Sequence, residues 1–158
     1  MSKMVFIGQQ PNSHDDEGNP IPIRPNSTGR RLVQMMGITD EAFEKHFIRL
    51  NVSPFHDPEG FDSSHWRLNA DNMLPLLEGK RVVLLGPAVA DAFGFERSSY
   101  DYASWFDHPE GWHSLFSVIP HPSGLNRVYN NPEVNEMVRS FLDGCWSLRD
   151  DKQCLSRV

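Results

Sequence analysis

Three polar stretches of the chain combine residue types that could do chemistry. They read GQQPNSHDDEG (8–18), LNVSPFHD (50–57) and PHPSGLNRVYNN (120–131). Their amides can orient water or hydrogen-bond to the edge of a ligand, and their carboxylates and imidazoles can move protons. Neither core packing nor turn chemistry requires this composition in all three places. We therefore treat the three stretches as candidate parts of one site.

Each polar stretch begins where a predicted strand ends. Short apolar runs predict strands at 4–7, 47–52, 81–85 and 115–119. The polar stretches follow the first, second and fourth of these strands. In open α/β sheets, ligands bind beyond the carboxyl ends of the strands. We therefore expect the three stretches to converge at that edge of the sheet.

Helical segments alternate with the predicted strands. Asn26 or Ser27, Thr39 and Asn131 are suited to cap three of them, and Pro75 should disturb the last turn of another. Strands alternating with helices predict the α/β class. The expected architecture is a three-layer α/β/α sandwich with a central four-stranded, mainly parallel sheet. The predicted helical segments are 27–37, 39–46, 66–77, 87–94 and 131–144.

Composition limits the size and setting of the protein. A chain of 158 residues with 39% hydrophobic content predicts one domain, 1–146, followed by a polar C-terminal tail, 147–158. Cys145 and Cys154 form no CxxC pattern, so neither structural zinc nor an iron-sulfur cluster is expected. We find no apolar run of bilayer length and no signal-peptide pattern. The sequence thus predicts a cytoplasmic monomer.

The charge pattern allows a nucleic-acid partner without requiring one. A formal net charge of -6 argues mildly against non-specific affinity for DNA, because phosphate binding needs clustered cations. Arg24, Arg30, Arg31 and Arg127 nevertheless fall within or near the polar stretches. A locally basic face therefore stays compatible with the acidic average.

Each polar feature also has a structural interpretation. Proline, glycine, asparagine and aspartate are common in turns, so GQQPN alone could be turn chemistry. Asn51 ends an apolar strand, and its carboxamide must hydrogen-bond either to a ligand or to a neighbouring loop. No histidine or carboxylate spacing typical of a metal site is present.

Taken in order, the motifs resemble the uracil-DNA glycosylase superfamily over about residues 6–142. The first motif of that family, a glycine followed two residues later by the catalytic position and a proline, is similar to GQQP (8–11). Its HPS signature is similar to HPSGL (121–125), and its base-pairing asparagine to Asn51 in RLNVSPF. Between them, VVLLGPAVADAFG (82–94) resembles a strand and helix of several branches.

The resemblance implies a DNA glycosylase that hydrolyses the N-glycosidic bond of uracil or another modified base flipped out of single- or double-stranded DNA. Asn51 and Gln9 would bind the base, and His121 would stabilise the departing base anion. Ser123 and Arg127 would contact phosphate, and Leu125 would fill the vacated stack. The resemblance implies neither a metal nor a cofactor.

Two departures from the family pattern concern the chemistry. Gln10 stands where the family has Asp or Asn, and a neutral amide can orient water but cannot act as a base. Asp15 and Asp16 match the acidic run of one branch and could supply the carboxylate. Arg24 stands near the position of an aromatic residue that stacks on the base, and an arginine can also stack there.

The departures leave two alternative functions open. A catalytically impaired module could bind a nucleobase or DNA in the same cavity without cleaving it. A hydrolase of free nucleotides would fit the negative net charge, and its activity would depend little on salt.

Overall fold

One mixed sheet organises the chain. A computed structural model describes residues 4–12, 19–110, 113–123 and 126–149. In these residues the sheet has the strand order β2-β1-β3-β5-β4, in which all neighbours are parallel except β4 and β5. The strands are β1 (Met4–Gly8), β2 (Ile48–Asn51), β3 (Arg81–Leu85), β4 (Phe106–Asp107) and β5 (Leu115–Ile119).

The predicted α/β class and mainly parallel sheet are confirmed, but the predicted strand number of four is corrected to five. The additional strand, β4, has two residues and pairs antiparallel with β5. Two residues are too few to show the alternation by which a strand is recognised in a sequence. The other four strands were all predicted.

Helices cover both faces of the sheet. Ser27, Thr39 and Asn131 cap the first, second and last α-helices through side-chain oxygens, as predicted. Pro75 lies where the predicted third helix tightens into a 3-10 turn, Leu74–Leu77. No helix in the described ranges has the length and apolar character needed to cross a bilayer. The α-helices of the described residues are α1 (Thr28–Met36), α2 (Asp40–His46), α3 (Arg67–Met73), α4 (Pro87–Ala92) and α5 (Pro132–Leu148).

The end of α5 differs from the prediction. The sequence predicted that the helix ends at Gly144, whereas α5 continues to Leu148 and includes the first two residues of the predicted tail. Cys145 is buried, and the Trp146 ring lies 6.0 Å from the ring of Phe47. These contacts offset the unfavourable helix propensity of a glycine. The division into a domain and a tail stays a prediction.

The sheet separates two apolar clusters, which gives the three layers. Along β1, Met4 and Phe6 face the cluster that includes the apolar residues of α1, α2 and α5. Val5 and Ile7 face the opposite cluster, which includes α3 and α4. Alternate strand residues point to opposite faces, so a strand covered on both sides is apolar throughout. This double burial holds the carboxyl ends of the strands in fixed positions.

Gly86 shows how closely the backbone packs at that edge. Its φ of +111° is a conformation that L-residues rarely adopt, and an added Cβ would lie 3.0 Å from the Cβ of His121. We expect Gly86→Ala to lower the free energy of unfolding by about 1–3 kcal/mol. Gly144→Ala is the matched control, because a Cβ added to the helical Gly144 would have no described atom within 4 Å outside its chain neighbours and the backbone of its own helix.

The control substitution should raise the free energy of unfolding by about 0.5–1 kcal/mol through helix propensity. Urea unfolding followed by circular dichroism measures both changes. A Gly86→Ala protein as stable as the wild type would contradict the assigned backbone constraint.

Candidate functional site

A cavity of about 160 Å³ lies at the carboxyl edge of the sheet. All three polar stretches contribute to it, together with the residues that lead into α1. The structure therefore brings the three stretches together at this edge, as predicted. The lining residues are Gly8, Gln9, Gln10, Asn12, Ile21, Pro22, Asn26, Ser27, Thr28, Gly29, Asn51, His121 and Ser123.

The size of the cavity limits what it can hold. Pockets for drug-sized ligands have volumes of roughly 300–1,000 Å³, so about 160 Å³ is small by comparison. One flat heterocycle fits this volume better than a whole nucleotide does. The exposed lining is more polar than apolar, which suits a ligand with hydrogen-bonding edges.

Asn51 depends on the absence of a side chain at Gly8. The two residues are register partners in the parallel pair β1 and β2. A Cβ added to Gly8 would lie 2.7 Å from Oδ1 of Asn51, closer than real contacts allow. Within the described residues, the Asn51 carboxamide makes no hydrogen bond. Of the two interpretations that the sequence left open, this favours a ligand edge over a structural cap.

His121 enters the cavity from the loop after β5. Gly86 packs against its Cβ, and the side-chain amide of Asn126 donates to its backbone carbonyl at 2.8 Å. The imidazole makes no hydrogen bond to another residue in the described part of the chain. Burial lowers the pKa of His121 below its usual value, because desolvation disfavours the charged ring. A neutral imidazole can still donate one hydrogen bond.

Gln10 lines the cavity, but its carboxamide is engaged in a contact between loops. Its Nε2 donates to the carbonyl of Asp57 at 3.0 Å, and its Oε1 accepts from the Asp57 amide at 3.3 Å. The His56 ring is hydrogen-bonded to the Pro11 carbonyl beside it. Gln10 therefore joins the loops that follow β1 and β2. A catalytic role for it, which stays a prediction, would have to use the second hydrogen of Nε2 or the second lone pair of Oε1.

The neighbouring Gln9 is differently placed. Its backbone carbonyl accepts from the Ser53 amide at 2.9 Å. Its side chain makes no hydrogen bond within the described residues. Gln9 therefore combines a fixed backbone with an amide that is available to a ligand.

Five other predicted site residues are not among the described lining of the cavity. Asp15, Asp16 and Leu125 fall outside the described residues. Arg24 and Arg127 are exposed and do not line the cavity. The Arg24 backbone amide donates to Ser27 Oγ, and Arg127 begins a 3-10 turn. Base stacking by Arg24 and phosphate contact by Arg127 stay predictions.

Sequence reasoning missed one wall of the cavity. Ile21 is buried and has a φ of +53°, which is an outlier for a β-branched residue. Arg49 on β2 donates to the carbonyls of Pro20 and Ile21 at 3.3 and 3.4 Å and so holds this turn. Segment 9–26 has no hydrophobic periodicity, so no sequence signal singled out Ile21. Arg49 alternates with apolar neighbours along β2 and reads as an ordinary solvent-facing position.

The described lining of the cavity contains no acidic side chain. In the described parts of the chain, no group of three or more His, Cys, Asp or Glu residues could hold a metal ion. The chemistry available from these residues is hydrogen bonding by amides, hydroxyls and a neutral imidazole. Any carboxylate must come from another part of the chain.

A comparison with known families gives a match that covers the residues of this cavity. The family model described as the uracil DNA glycosylase superfamily matches residues 1–143. That range contains every residue lining the cavity. No curated protein matches the chain.

The burial of His121 predicts how its ring titrates. NMR titration of its Cε1 signal, assigned by its loss in a His121→Asn protein, should show a pKa below the ordinary 6.5. The neutral form is then favoured at pH 7, and the charged form appears only as the pH falls further. A pKa at or above the ordinary value would contradict the described environment.

Proposed function

The chain belongs to the uracil-DNA glycosylase superfamily, and from this membership we propose that it hydrolyses the N-glycosidic bond of uracil or another modified base flipped out of DNA. The observation that carries the proposal is the base-sized cavity in which the Asn51 carboxamide and the His121 ring make no hydrogen bond to another described residue. A base inside a duplex cannot reach such a cavity, so it must be extruded, which costs a few kcal/mol.

Asn51 supplies base recognition in this proposal. Its carboxamide offers a donor and an acceptor side by side, which complements a ring edge with a carbonyl next to an N–H. Gly8 leaves the space in which this amide lies. Gln9 contributes a second amide with no partner among the described residues. A base that lacks the matching edge would leave buried polar groups unpaired, which disfavours its binding.

His121 acts on the leaving group. When the bond between C1′ and the base nitrogen breaks, its electron pair stays on the base. A neutral imidazole keeps one N–H group. By donating this hydrogen bond to the base, it stabilises the developing anion. One such preorganised donor typically contributes about 10²–10³ in kcat. The lowered pKa of His121 supports this assignment.

Water completes the reaction by adding to C1′ and releasing a proton. We assign the acceptance of that proton to Asp15 or Asp16, which follow the cavity-lining Asn12 by three and four positions in the sequence. A carboxylate there would also offset the positive charge that develops on the sugar. Gln10 is less suited to orient the water, because its hydrogen bonds to Asp57 fix its amide in a contact between loops and take up half of its hydrogen-bonding capacity.

The strand is held from the loop after β5. Ser123, which lines the cavity, would hydrogen-bond to a phosphate, and Arg127 would neutralise another. Leu125 would fill the stack that the flipped base leaves. These three roles follow from the family motif HPSGL and the arginine after it.

A second candidate function is a module that binds a base without cleaving it. The observation that favours it is the lack of an acidic side chain among the described lining residues. The hydrogen bonds of Gln10 to Asp57 also favour a binding module, because they place this residue in a contact between loops. Such a module would bind the same bases through Asn51 and release none of them.

Base release separates the two functions. The protein is incubated with single- and double-stranded DNA carrying uracil, hydroxymethyluracil, hypoxanthine or hydroxymethylcytosine, and free bases are measured by mass spectrometry. We expect release of at least one base. Asn51→Ala should lower kcat/KM by about tenfold to a hundredfold, the effect of one lost hydrogen bond in a buried site. His121→Asn should lower kcat by about a hundredfold or more.

His113→Asn is the matched control, because His113 is exposed and lies two residues before β5, at the opposite edge of the sheet. It should leave turnover unchanged. Asp15→Asn and Asp16→Asn identify the proton acceptor. Saturable binding with no base released would establish the binding module instead, and unchanged turnover in both aspartate variants and His121→Asn would refute the roles assigned here.

A further inference from the structure

A second, larger concavity adjoins the base cavity. It has a volume of about 610 Å³ and lies between α1 and the N-terminal half of α5. Asn26 and Ser27 line both cavities, so the two are continuous at the carboxyl edge of the sheet. We call it the arginine groove. Its lining residues are Pro25, Asn26, Ser27, Arg30, Arg31, Gln34, Met35, Asn135 and Arg139.

The charge of the arginine groove opposes that of the whole chain. The chain carries 21 acidic residues and a net charge of -6, yet among the described residues three arginines and no acidic residue line the groove. The sequence predicted a locally basic face from Arg30 and Arg31, among others. Arg139, which the sequence did not single out, joins them from the second turn of α5.

The three arginines are held in different ways. Arg30 is fixed by two hydrogen bonds to the Asp40 carboxylate, at 3.0 and 3.1 Å. The Arg31 guanidinium stacks over the Tyr129 ring, 4.5 Å from its centroid. Arg139 is exposed and makes no hydrogen bond or ion pair with another described residue. The groove therefore holds two oriented guanidinium groups and a third that is available to a ligand.

The N-terminal end of α1 adds to the positive potential, because its cap residue Ser27 lines the groove. The N-terminal end of a helix carries a partial positive charge and favours anions. Neutral donors on the groove wall, the amides of Gln34 and Asn135, complete a set suited to phosphate oxygens.

We propose that the arginine groove is a phosphate-binding subsite for the stretch of strand next to the flipped nucleotide, with Arg31 and Arg139 as its phosphate ligands. The identity of the strand rests on the function proposed above. The claim that the groove binds phosphate does not rest on that function, because the phosphate of a free nucleotide in the base cavity could reach the same groove. Bound there, the strand would pass across the shared residues Asn26 and Ser27 from one cavity into the other.

The test measures binding and needs no cleavage. The probe is a short, labelled single-stranded oligonucleotide with one abasic analogue, so nothing occupies the base cavity and nothing can be released. Fluorescence anisotropy gives Kd from about 50 to 200 mM salt. Arg31→Gln and Arg139→Gln should each weaken binding by about tenfold at low salt. Each should also reduce the slope of log Kd against log salt by about 0.7.

Lys45→Gln is the control for charge. Lys45 is exposed on α2, directly before β2, at the edge of the sheet opposite the groove. This variant removes the same charge and should leave both Kd and the slope unchanged. Arg139 is exposed and makes no hydrogen bond or ion pair with another described residue. Arg139→Gln should therefore keep the circular dichroism spectrum of the wild type.

A second arm identifies the source of the phosphate. Deoxyuridine monophosphate and deoxyuridine are compared by calorimetry on the same proteins. If the arginine variants weaken binding of the monophosphate only and leave binding of the oligonucleotide unchanged, the groove binds a free nucleotide. That result would overturn the proposal that the groove binds the DNA strand. If neither ligand responds, the groove is not a phosphate subsite. A protein without glycosylase activity that still shows the oligonucleotide effect would overturn the proposed reaction and leave this subsite standing.

Discussion

The site depends on the close approach of Gly8 to Asn51. Parallel pairing places these two residues in register, and only a residue without a side chain at the first position leaves the Asn51 amide where it lies. The pairing continues beyond the strands, because Gly8 and Gln9 accept from the amides of Val52 and Ser53. The loops after β1 and β2 are thereby brought together. The same device recurs where Gly86 packs against His121, so glycines at strand ends set the positions of both polar side chains.

Much of the fold followed from local patterns in the sequence. The strands at 81–85 and 115–119 were predicted with their observed ends, because they are buried on both faces and are largely apolar in sequence. The helix caps were predicted because capping needs specific side-chain oxygens. The convergence of three polar loops followed from parallel topology alone. The strand β4 and the extension of α5 past Gly144 depend on tertiary contacts that no local pattern reveals.

The candidate site was predicted less completely than the fold. Motif spacing identified Gln9, Gln10, Asn51, His121 and Ser123, and all five line the cavity. Motif spacing could not show that the Gln10 amide is used by Asp57, since that partner lies 47 positions away. Nor could it separate Arg24, which lines neither cavity, from Arg31 and Arg139, which line the arginine groove. Which arginines share a surface is decided by the packing of α1 against α5, a contact between elements distant in sequence.

The turn at Ile21 has a consequence for the cost of ligand binding. A buried isoleucine at positive φ is unfavourable by roughly 1–3 kcal/mol, and Arg49 holds it through backbone carbonyls supplied by the turn itself. The free energy needed to shape this wall is thus supplied during folding. A ligand that enters the cavity does not have to order the wall, so less of its interaction energy is lost to conformational entropy. The Ile21 wall of the cavity is in this sense preorganised, since its shape is set before any ligand enters.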